Sequence, residues 1–285
     1  MNRFFTSIGL FLLMLGVATP GTEDPTGYQH LFDEAELLSA PFHEGEKLSY
    51  EINWKPLFAV PAFKAGEVTM SIEKSQLSGT DTYKISAWAH SDGALSKVAG
   101  IEVKSYFESH IDRSDYRSYR MFQKIRQGTR KRDLTLTFDY ANDQTLVQET
   151  DQSASPPRQL KKRIIRGIPG PAADVLSVFY VARLRTARPG DRFQLYLNEK
   201  GTFKKVMVVA EKQEKLATPV GTFSTIRLTT TGGLFKNGGE FRVWYSTDPL
   251  RIPVKFEADV KVGKVYGSLI RLQTPQQTRS VIRVD

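Results

Sequence analysis

The sequence predicts a mainly β protein, a curved antiparallel sheet or partial β-barrel with one long packed helix at about residues 171–186. Two observations predict the sheet. Apolar and polar residues alternate over most of the chain after Gly45, as they do in strands that bury one face. Turn signals such as SGTD and YANDQ separate these runs at short intervals. A third observation, helical spacing in one segment only, limits the helix content and favours this architecture.

Residues 1–18 have the layout of a secretory signal peptide. Arg3 supplies a positive charge, and an apolar run extends from about Ile8 to Ala18 with small residues near its end. The run is shorter than the roughly 20 residues that span a bilayer, which favours a cleaved signal peptide over the alternative, a retained N-terminal anchor. We therefore expect an exported protein, periplasmic or secreted, with no transmembrane segment in the mature chain. Residues 19–41 are expected to form a polar arm or linker.

The chain contains no cysteine. Disulfides, thiolate metal sites and a lipid-modified cysteine are therefore excluded, and a packed core must stabilise the fold. We predict a single β-rich domain over residues 42–273, with two β subdomains divided near 167–171 as the alternative. Residues 274–285 are predicted to be a C-terminal tail.

Alternation is clearest in the first half of the domain. In DTYKISAWAHS, for example, Tyr83 and Ile85 share one face of the predicted strand and Trp88 lies on the other. The predicted inward set of this half is Leu48, Tyr50, Ile52, Trp54, Val68, Met70, Ile72, Tyr83, Ile85, Ala87, Ala89, Ile101, Val103, Phe107, Ile111, Leu134, Leu136, Phe138 and Tyr140.

The segment PGPAADVLSVFYVARLRTARPGD breaks this alternation. Pro171 suits a first helical position, Asp174 suits the first turn, and arginines follow at the end. Its apolar residues recur at helical spacing, so we predict a helix that is largely buried against the sheet. These apolar residues are Val175, Leu176, Val178, Phe179, Ala182 and Leu184.

Strands resume after this segment. NEKG predicts one hairpin tip, and Gly263 suits the tip of a final hairpin. Between them, VWYSTDPLRIPVKFEA combines an acid, a proline and an arginine in the manner of an active site. We favour a turn there, because Asp248 can bond its own backbone and Pro249 presets the next dihedral angle. Arg251 would then pair with Asp248 or reach an external anion.

Four segments carry a resemblance to a known family. GEKLSYEINW…AGEVTMSI, DVLSVFYVARL, TPVGTF and VWYSTDPLRIPVKFEA, in this order between Phe42 and Leu272, resemble the bacterial exported family catalogued as domain of unknown function 3108. The resemblance implies an exported β-rich protein and brings no catalytic residues.

The sequence predicts no catalytic constellation, cofactor or metal site. None of the four histidines, His30, His43, His90 and His110, has the close spacing of a metal pair; only His90 with His110 could meet through the fold. Glycosidases need two carboxylates about 5–10 Å apart. Glu108 with Asp112, or Glu257 with Asp259, are the candidates for such a pair.

Aromatic and basic residues supply the candidate binding sites. Trp54, Trp88, Phe179 and Trp244 would line an apolar concave surface, or else fill an ordinary core. The net charge is +9. Export makes nucleic acid an unexpected partner, and anionic lipids or glycans remain. Arg130, Arg132, Lys162, Arg163 and Arg251 are the anion-contact candidates, with a solvated charged face as the alternative.

These observations favour a non-enzymatic cell-envelope protein that binds an apolar or amphipathic, lipid-like component. An enzyme that acts on envelope glycans through paired carboxylates is one alternative. A structural or assembly partner of another envelope protein is the other.

Overall fold

A computed structural model describes residues 40–57, 61–92, 102–231, 239–260, 263–275 and 277–280, together with the backbone of Gln29–His30. This part of the chain contains seventeen strands, which form one sheet. The strands are β1 (Gln29–His30), β2 (Lys47–Pro56), β3 (Phe63–Leu77), β4 (Thr80–Ser91), β5 (Lys104–Asp112), β6 (Ser118–Gln127), β7 (Arg130–Asp139), β8 (Gln144–Asp151), β9 (Arg158–Arg166), β10 (Ala172–Asp174), β11 (Arg192–Glu199), β12 (Thr202–Thr218), β13 (Gly221–Thr231), β14 (Phe241–Ser246), β15 (Pro253–Val260), β16 (Gly263–Thr274) and β17 (Gln277–Ser280).

Neighbouring strands are almost all antiparallel and consecutive in sequence. Strands β2 to β9 form one meander, and β11 to β16 form another. The pairing of β16 with β2 joins the two meanders into one sheet, and only β1 and β10 run parallel to their neighbour β11. The sheet is open and strongly curved, which confirms the predicted fold class.

The connections between strands lie at two ends of the curved sheet. We call one the hairpin end, because it carries the tips of the β6–β7 and β11–β12 hairpins. The other is the helix end, where residues 167–188 cross between the two meanders. Antiparallel neighbours fix this arrangement, since each strand runs from one end to the other.

The inner face of the sheet carries the hydrophobic core. The alternation predicted from sequence is confirmed there: of the expected inward set that the structure describes, most members are buried. Large apolar side chains contribute about 1.5–3 kcal/mol each when fully buried. The buried members are Leu48, Tyr50, Ile52, Trp54, Val68, Met70, Ile72, Ile85, Ala87, Val103, Phe107, Ile111, Leu134, Leu136 and Phe138.

The helix is much shorter than the predicted 171–186. Residues Ala172–Asp174 are strand β10, helix α1 covers only Val178–Val181, and one 3₁₀ turn follows at Ala182–Leu184. Residues 172–187, which we call the plug, fill the helix end, and most of them are buried, so their apolar residues share no single buried face. The backbone before α1 is fixed as a turn, because the Asp174 carboxylate accepts hydrogen bonds from the N–H groups of Leu176 and Ser177.

The two extremes of the sheet meet through side chains. The tip of the β11–β12 hairpin lies over β8 and β9, so that a Cβ at Gly201 would be 2.4 Å from Val147 and 2.7 Å from Ile165. Phe138 and Phe203 pack across the same contact with ring centroids 6.2 Å apart. The curved sheet thereby encloses a filled interior.

The expected signal peptide, residues 1–18, lies outside the described residues. Of the expected arm, 19–41, Gln29–His30 pair with Phe193 and Gln194 of β11. Within the predicted tail 274–285, Gln277–Ser280 form the short strand β17 beside β16.

Candidate functional site

A buried ion pair organises the helix end. The guanidinium of Arg183 donates to both carboxylate oxygens of Glu46, at 2.7 and 2.8 Å, and to the carbonyl oxygen of Leu250 at 2.9 Å. Its cationic centre lies over the rings of Phe42 and Tyr180 at 5.4 and 5.3 Å. Arg183, which lies in the plug, therefore connects the plug to the segment before β2 and to the turn between β14 and β15.

The turn between β14 and β15 is built as the sequence predicts. Oδ1 of Asp248 accepts hydrogen bonds from the N–H groups of Leu250 and Arg251 at 3.0 and 3.2 Å, and from the Ser246 hydroxyl at 3.0 Å. Arg251 has a φ of 44°, and its Nε donates to the carbonyl oxygen of Arg183. This bond directs the Arg251 side chain along the plug, away from its own carboxylate neighbour.

A cleft of about 430 Å³ opens beside this turn. Its apolar part comes from the plug and from β13, and its polar part comes from arginines and the turn. Burial lowers the pKa of Arg251, the neighbouring charge of Arg183 lowers it further, and the charge of Asp248 opposes the shift. The cleft is lined by Ala182, Arg185, Thr186, Ala187, Arg188, Gln213, Ile226, Leu228, Tyr245, Ser246, Thr247, Asp248, Pro249 and Arg251.

Irregular strand pairing makes room for the cleft. The β12–β13 register shifts between Ala210 and Gln213, and the β14–β15 register shifts between Trp244 and Tyr245. Such bulges bend a strand and redirect its side chains. Alternation within one strand does not reveal a register shift between two. The sequence therefore offered Arg251 as an anion-contact candidate, but it did not indicate a cleft or its other lining residues, such as Arg185, Arg188 and the apolar Ile226 and Leu228.

The structure does not bring the four candidate aromatic residues together. Phe179 packs in the core against Phe256, at a centroid distance of 6.0 Å, and Trp54 is a core residue at the hairpin end. Trp88 lies on the outer face and is 60% exposed. Trp244 is also on the outer face, beneath Lys255, with its Nε1 donating to Glu214 at 2.8 Å.

The basic candidates separate as well. Arg130 and Arg132 lie on the inner side at the hairpin end. Arg163 lies on the same side in the middle of β9, opposite buried Val147. Lys162 is next to Arg163 in sequence and therefore projects from the opposite face. Arg251 lies in the cleft at the helix end.

Neither carboxylate pair is arranged for glycosidase chemistry. Glu108 and Asp112 are four residues apart on β5, which is about 13 Å. Glu108 accepts a hydrogen bond from Tyr106, and Asp112 accepts two from Ser114. Glu257 and Asp259 are near neighbours on β15, but Lys264 forms ion pairs with both, at 3.7 and 3.4 Å.

The histidines do not converge. His90 is opposite Lys104 and His110 is opposite Lys84 in the β4–β5 ladder, a separation of about 20 Å along the strands. The described ranges contain no group of three or more His, Asp or Glu side chains that could hold a metal ion. Within the same ranges, no helix has the length and apolar character needed to cross a membrane.

Three solved structures are similar to this chain at low sequence identity. A β-barrel-like protein of the domain of unknown function DUF1849 from Brucella abortus has a TM-score of 0.53 and 10% identity, with 80% of this chain and 96% of that chain covered. A Bacteroides fragilis protein described as exported with a YmcC-like fold has a TM-score of 0.37 and 9% identity, covering 84% and 100%. A lipoprotein from Parabacteroides distasonis has a TM-score of 0.30 and 14% identity, covering 83% and 99%. The first of these supports the β-barrel-like fold.

The chain has no match among the curated proteins. The model of the family described as protein of unknown function DUF3108 matches residues 49–270. This range contains nearly all of both meanders, the plug and the cleft, so the resemblance inferred from the four sequence segments is confirmed. The chain belongs to the DUF3108 family.

Proposed function

We propose that this protein is an exported, non-enzymatic envelope protein that binds an amphipathic molecule with an acidic head group in the cleft at the helix end. The observation that carries the proposal is the composition of that cleft. Its lining combines the apolar side chains of Ile226 and Leu228 with the arginines Arg185, Arg188 and Arg251. Apolar surface with a few placed charges is the usual composition of a small-molecule site.

The electrostatics of the rim support an anionic head group. Asp248 is the acidic residue among those that line the cleft, and its Oδ1 already accepts hydrogen bonds from the backbone N–H groups of Leu250 and Arg251. Three arginines therefore face the cleft with one acid that is already hydrogen-bonded. Guanidinium groups bind carboxylates and phosphates through paired hydrogen bonds, and they do so more strongly when partly removed from water.

The signal-like residues 1–18 support the envelope location. Lipids with acidic head groups and lipid-like glycoconjugates are the amphipathic anions of that compartment. The filled inner face argues against an alternative in which the aromatic residues line one large cavity, because Trp54 and Phe179 pack within the hydrophobic core.

The proposal is tested with cis-parinaric acid, a fatty acid whose fluorescence rises in an apolar site. We expect the full mature chain to bind it and Ala187→Trp to abolish binding, because a bulky ring fills the mouth of the cleft. Arg188→Gln should weaken binding about tenfold, the loss expected for one charge-assisted contact.

Arg166→Gln is the matched control. Arg166 is exposed on β9 and is not among the residues that line the cleft, and its replacement changes the charge equally. Equal affinity of the Ala187→Trp variant and the unmodified chain would refute the cleft as the binding site. If Arg188→Gln and Arg166→Gln weaken parinaric acid binding equally, the loss of affinity comes from the change in net charge and not from a contact in the cleft.

A further inference from the structure

A second cluster of charged residues lies at the opposite, hairpin end and plays no part in the cleft. Arg130, Lys161 and Arg163 come from β7 and β9, and Lys200 comes from the tip of the β11–β12 hairpin. Nη2 of Arg163 donates to the carbonyl oxygen of Lys200 at 3.4 Å. The hairpin tip therefore brings Lys200 to two strands that are about 40 to 70 residues away in sequence, a separation no local pattern bridges.

The cluster carries an excess of positive charge. Glu149, which lies between β7 and β9 on strand β8, forms an ion pair with Lys161 at 3.4 Å. Glu199 approaches Lys200 at 3.8 Å but is held by Lys204 at 2.8 Å. The cluster has four cations, Arg130, Lys161, Arg163 and Lys200, and one acid, Glu149, so its net charge is +3. Glu199 and Lys204 carry opposite charges, so including them leaves this net charge unchanged.

Two of these cations are partly removed from water. Burial lowers the pKa of Lys200; Glu199 opposes this shift, and the nearby charges of Arg130 and Lys161 reinforce it. Burial also lowers the pKa of Arg130, where Glu149 opposes the shift and Arg132 reinforces it. Crowded, desolvated cations are costly to a folded protein unless an anion joins them.

Beside Arg130 lies a buried polar side chain without a partner. Gln127 is directly opposite Arg130 in the β6–β7 ladder and is 6% exposed. Neither its Oε1 nor its Nε2 has a hydrogen-bond partner in the described part of the chain. A buried amide that lacks partners beside excess positive charge is the arrangement expected where a ligand completes the hydrogen bonding.

We propose that Arg130, Lys161, Arg163, Lys200 and Gln127 form a binding site for a phosphate group. Two ammonium and two guanidinium groups suit its several acceptor oxygens, and the Gln127 amide opposite Arg130 has unpaired donors of its own. A phosphate dianion would offset most of the +3 excess. The site is independent of the cleft, because none of its five residues lines that cleft.

The test uses two probes: inorganic phosphate, followed by calorimetry at constant ionic strength, and flotation with phosphatidylcholine vesicles that contain or lack phosphatidic acid. We expect the full mature chain to bind at least one phosphate probe. Lys161→Gln, Arg130→Gln and Lys200→Gln should each weaken that binding about tenfold.

Lys162→Gln is the matched control, since it removes the same charge from the neighbouring position on the opposite face of β9. It should leave phosphate binding within twofold of the unmodified chain. Urea denaturation checks folding, and Lys200→Gln should be as stable as the unmodified chain or more so, because it relieves crowded charge.

Binding of phosphatidic acid vesicles alone would assign the site to a lipid head group, and binding of inorganic phosphate alone would assign it to a free or glycan-borne phosphate. Either supports the site. Failure of both probes, equal losses in Lys161→Gln and Lys162→Gln, or loss in Arg188→Gln alone would overturn it. Parinaric acid binding would be unaffected by these outcomes, so the two proposals fail separately.

Discussion

Arg183 and Glu46 are 137 residues apart in the chain and form a two-point ion pair, with side chains that are 0% and 1% exposed. Removing one member of such a pair leaves an uncompensated buried charge. We therefore predict that Glu46→Ala lowers the free energy of unfolding by about 3–5 kcal/mol. Chemical denaturation measured by far-UV circular dichroism gives this value directly.

The control for this prediction is the double variant Glu46→Leu with Arg183→Met. With both charges gone, no charge is left unpaired, and we expect at least half of the lost stability to return. A double variant that is as unstable as Glu46→Ala would contradict this account. In that case Arg183 would stabilise the fold mainly through its hydrogen bonds to the Leu250 carbonyl oxygen and its contacts with the rings of Phe42 and Tyr180.

A second prediction concerns pH and His110. Burial lowers the pKa of His110 below its ordinary value of 6.5; its bond to Glu108 opposes the shift, and the charges of Arg120 and Lys84 reinforce it. The unfolded chain therefore binds a proton at a higher pH than the folded chain does. The stabilisation is complete above pH 6.5 and is lost as the pH falls from 6.5 toward the lowered folded pKa.

The measurement is the urea midpoint between pH 7.5 and pH 5. We expect the unmodified chain to lose stability over this range and His110→Gln to lose less of it. His90→Gln is the matched control, because His90 is exposed on the neighbouring strand. If His110→Gln and the unmodified chain have the same pH profile, the burial of His110 contributes nothing in this window.

Local patterns predicted the sheet well because burial of one face imposes a period of two on each strand. Leu48, Tyr50 and Ile52 satisfy that period and are buried as expected. The same pattern predicted that Trp88 would lie on the opposite face. Hairpin tips were also predictable, since Gly201 and Gly263 have the positive φ values that tight turns require.

The plug could not be predicted in this way. Helical spacing in its apolar residues reflects burial of most of the plug, and the Asp174 contacts that end β10 come from β5 and β6, more than 50 residues earlier. Both candidate sites depend on similar long-range contacts. Arg251 meets Arg183, and Lys200 meets Arg163, only after the sheet has curled.

A third prediction separates the roles of two tryptophans that the sequence offered as equal ligand-binding candidates. Trp54 is 5% exposed and packs against Phe63 at 5.4 Å, whereas Trp88 is 60% exposed and rests on Tyr106 at 4.3 Å. We expect Trp54→Ala to cost about 3–5 kcal/mol and Trp88→Ala less than about 1 kcal/mol.

Denaturant unfolding of the two variants in parallel checks this difference. Since both remove the same side chain from a strand, the comparison isolates burial. Similar losses in the two variants would show that the outer face of β4 is covered in solution, for example by another copy of the chain, and the oligomeric state of Trp88→Ala would then distinguish that case.

The last prediction concerns Asp174, which fixes the start of the plug. Its Oδ2 accepts hydrogen bonds from the hydroxyls of Ser109 and Ser118 at 2.5 and 2.8 Å. Its Oδ1 accepts two more from the N–H groups of Leu176 and Ser177, at 2.8 and 2.9 Å. Asp174→Ala removes the acceptor of four buried donors, so we expect a loss of about 3 kcal/mol or more.

Asp174→Asn should cost less than Asp174→Ala. The amide oxygen can keep both backbone N–H bonds, and the two serine hydroxyls can rotate to accept from the amide nitrogen. The order of stability, measured by urea denaturation, is therefore expected to be Asp174, then Asn, then Ala. If Asn is no better than Ala, the carboxylate charge itself holds the plug, and the hydrogen-bond count does not explain its effect. The parinaric acid titration of both variants then shows whether the plug must be fixed at Asp174 for the cleft on its far side to form.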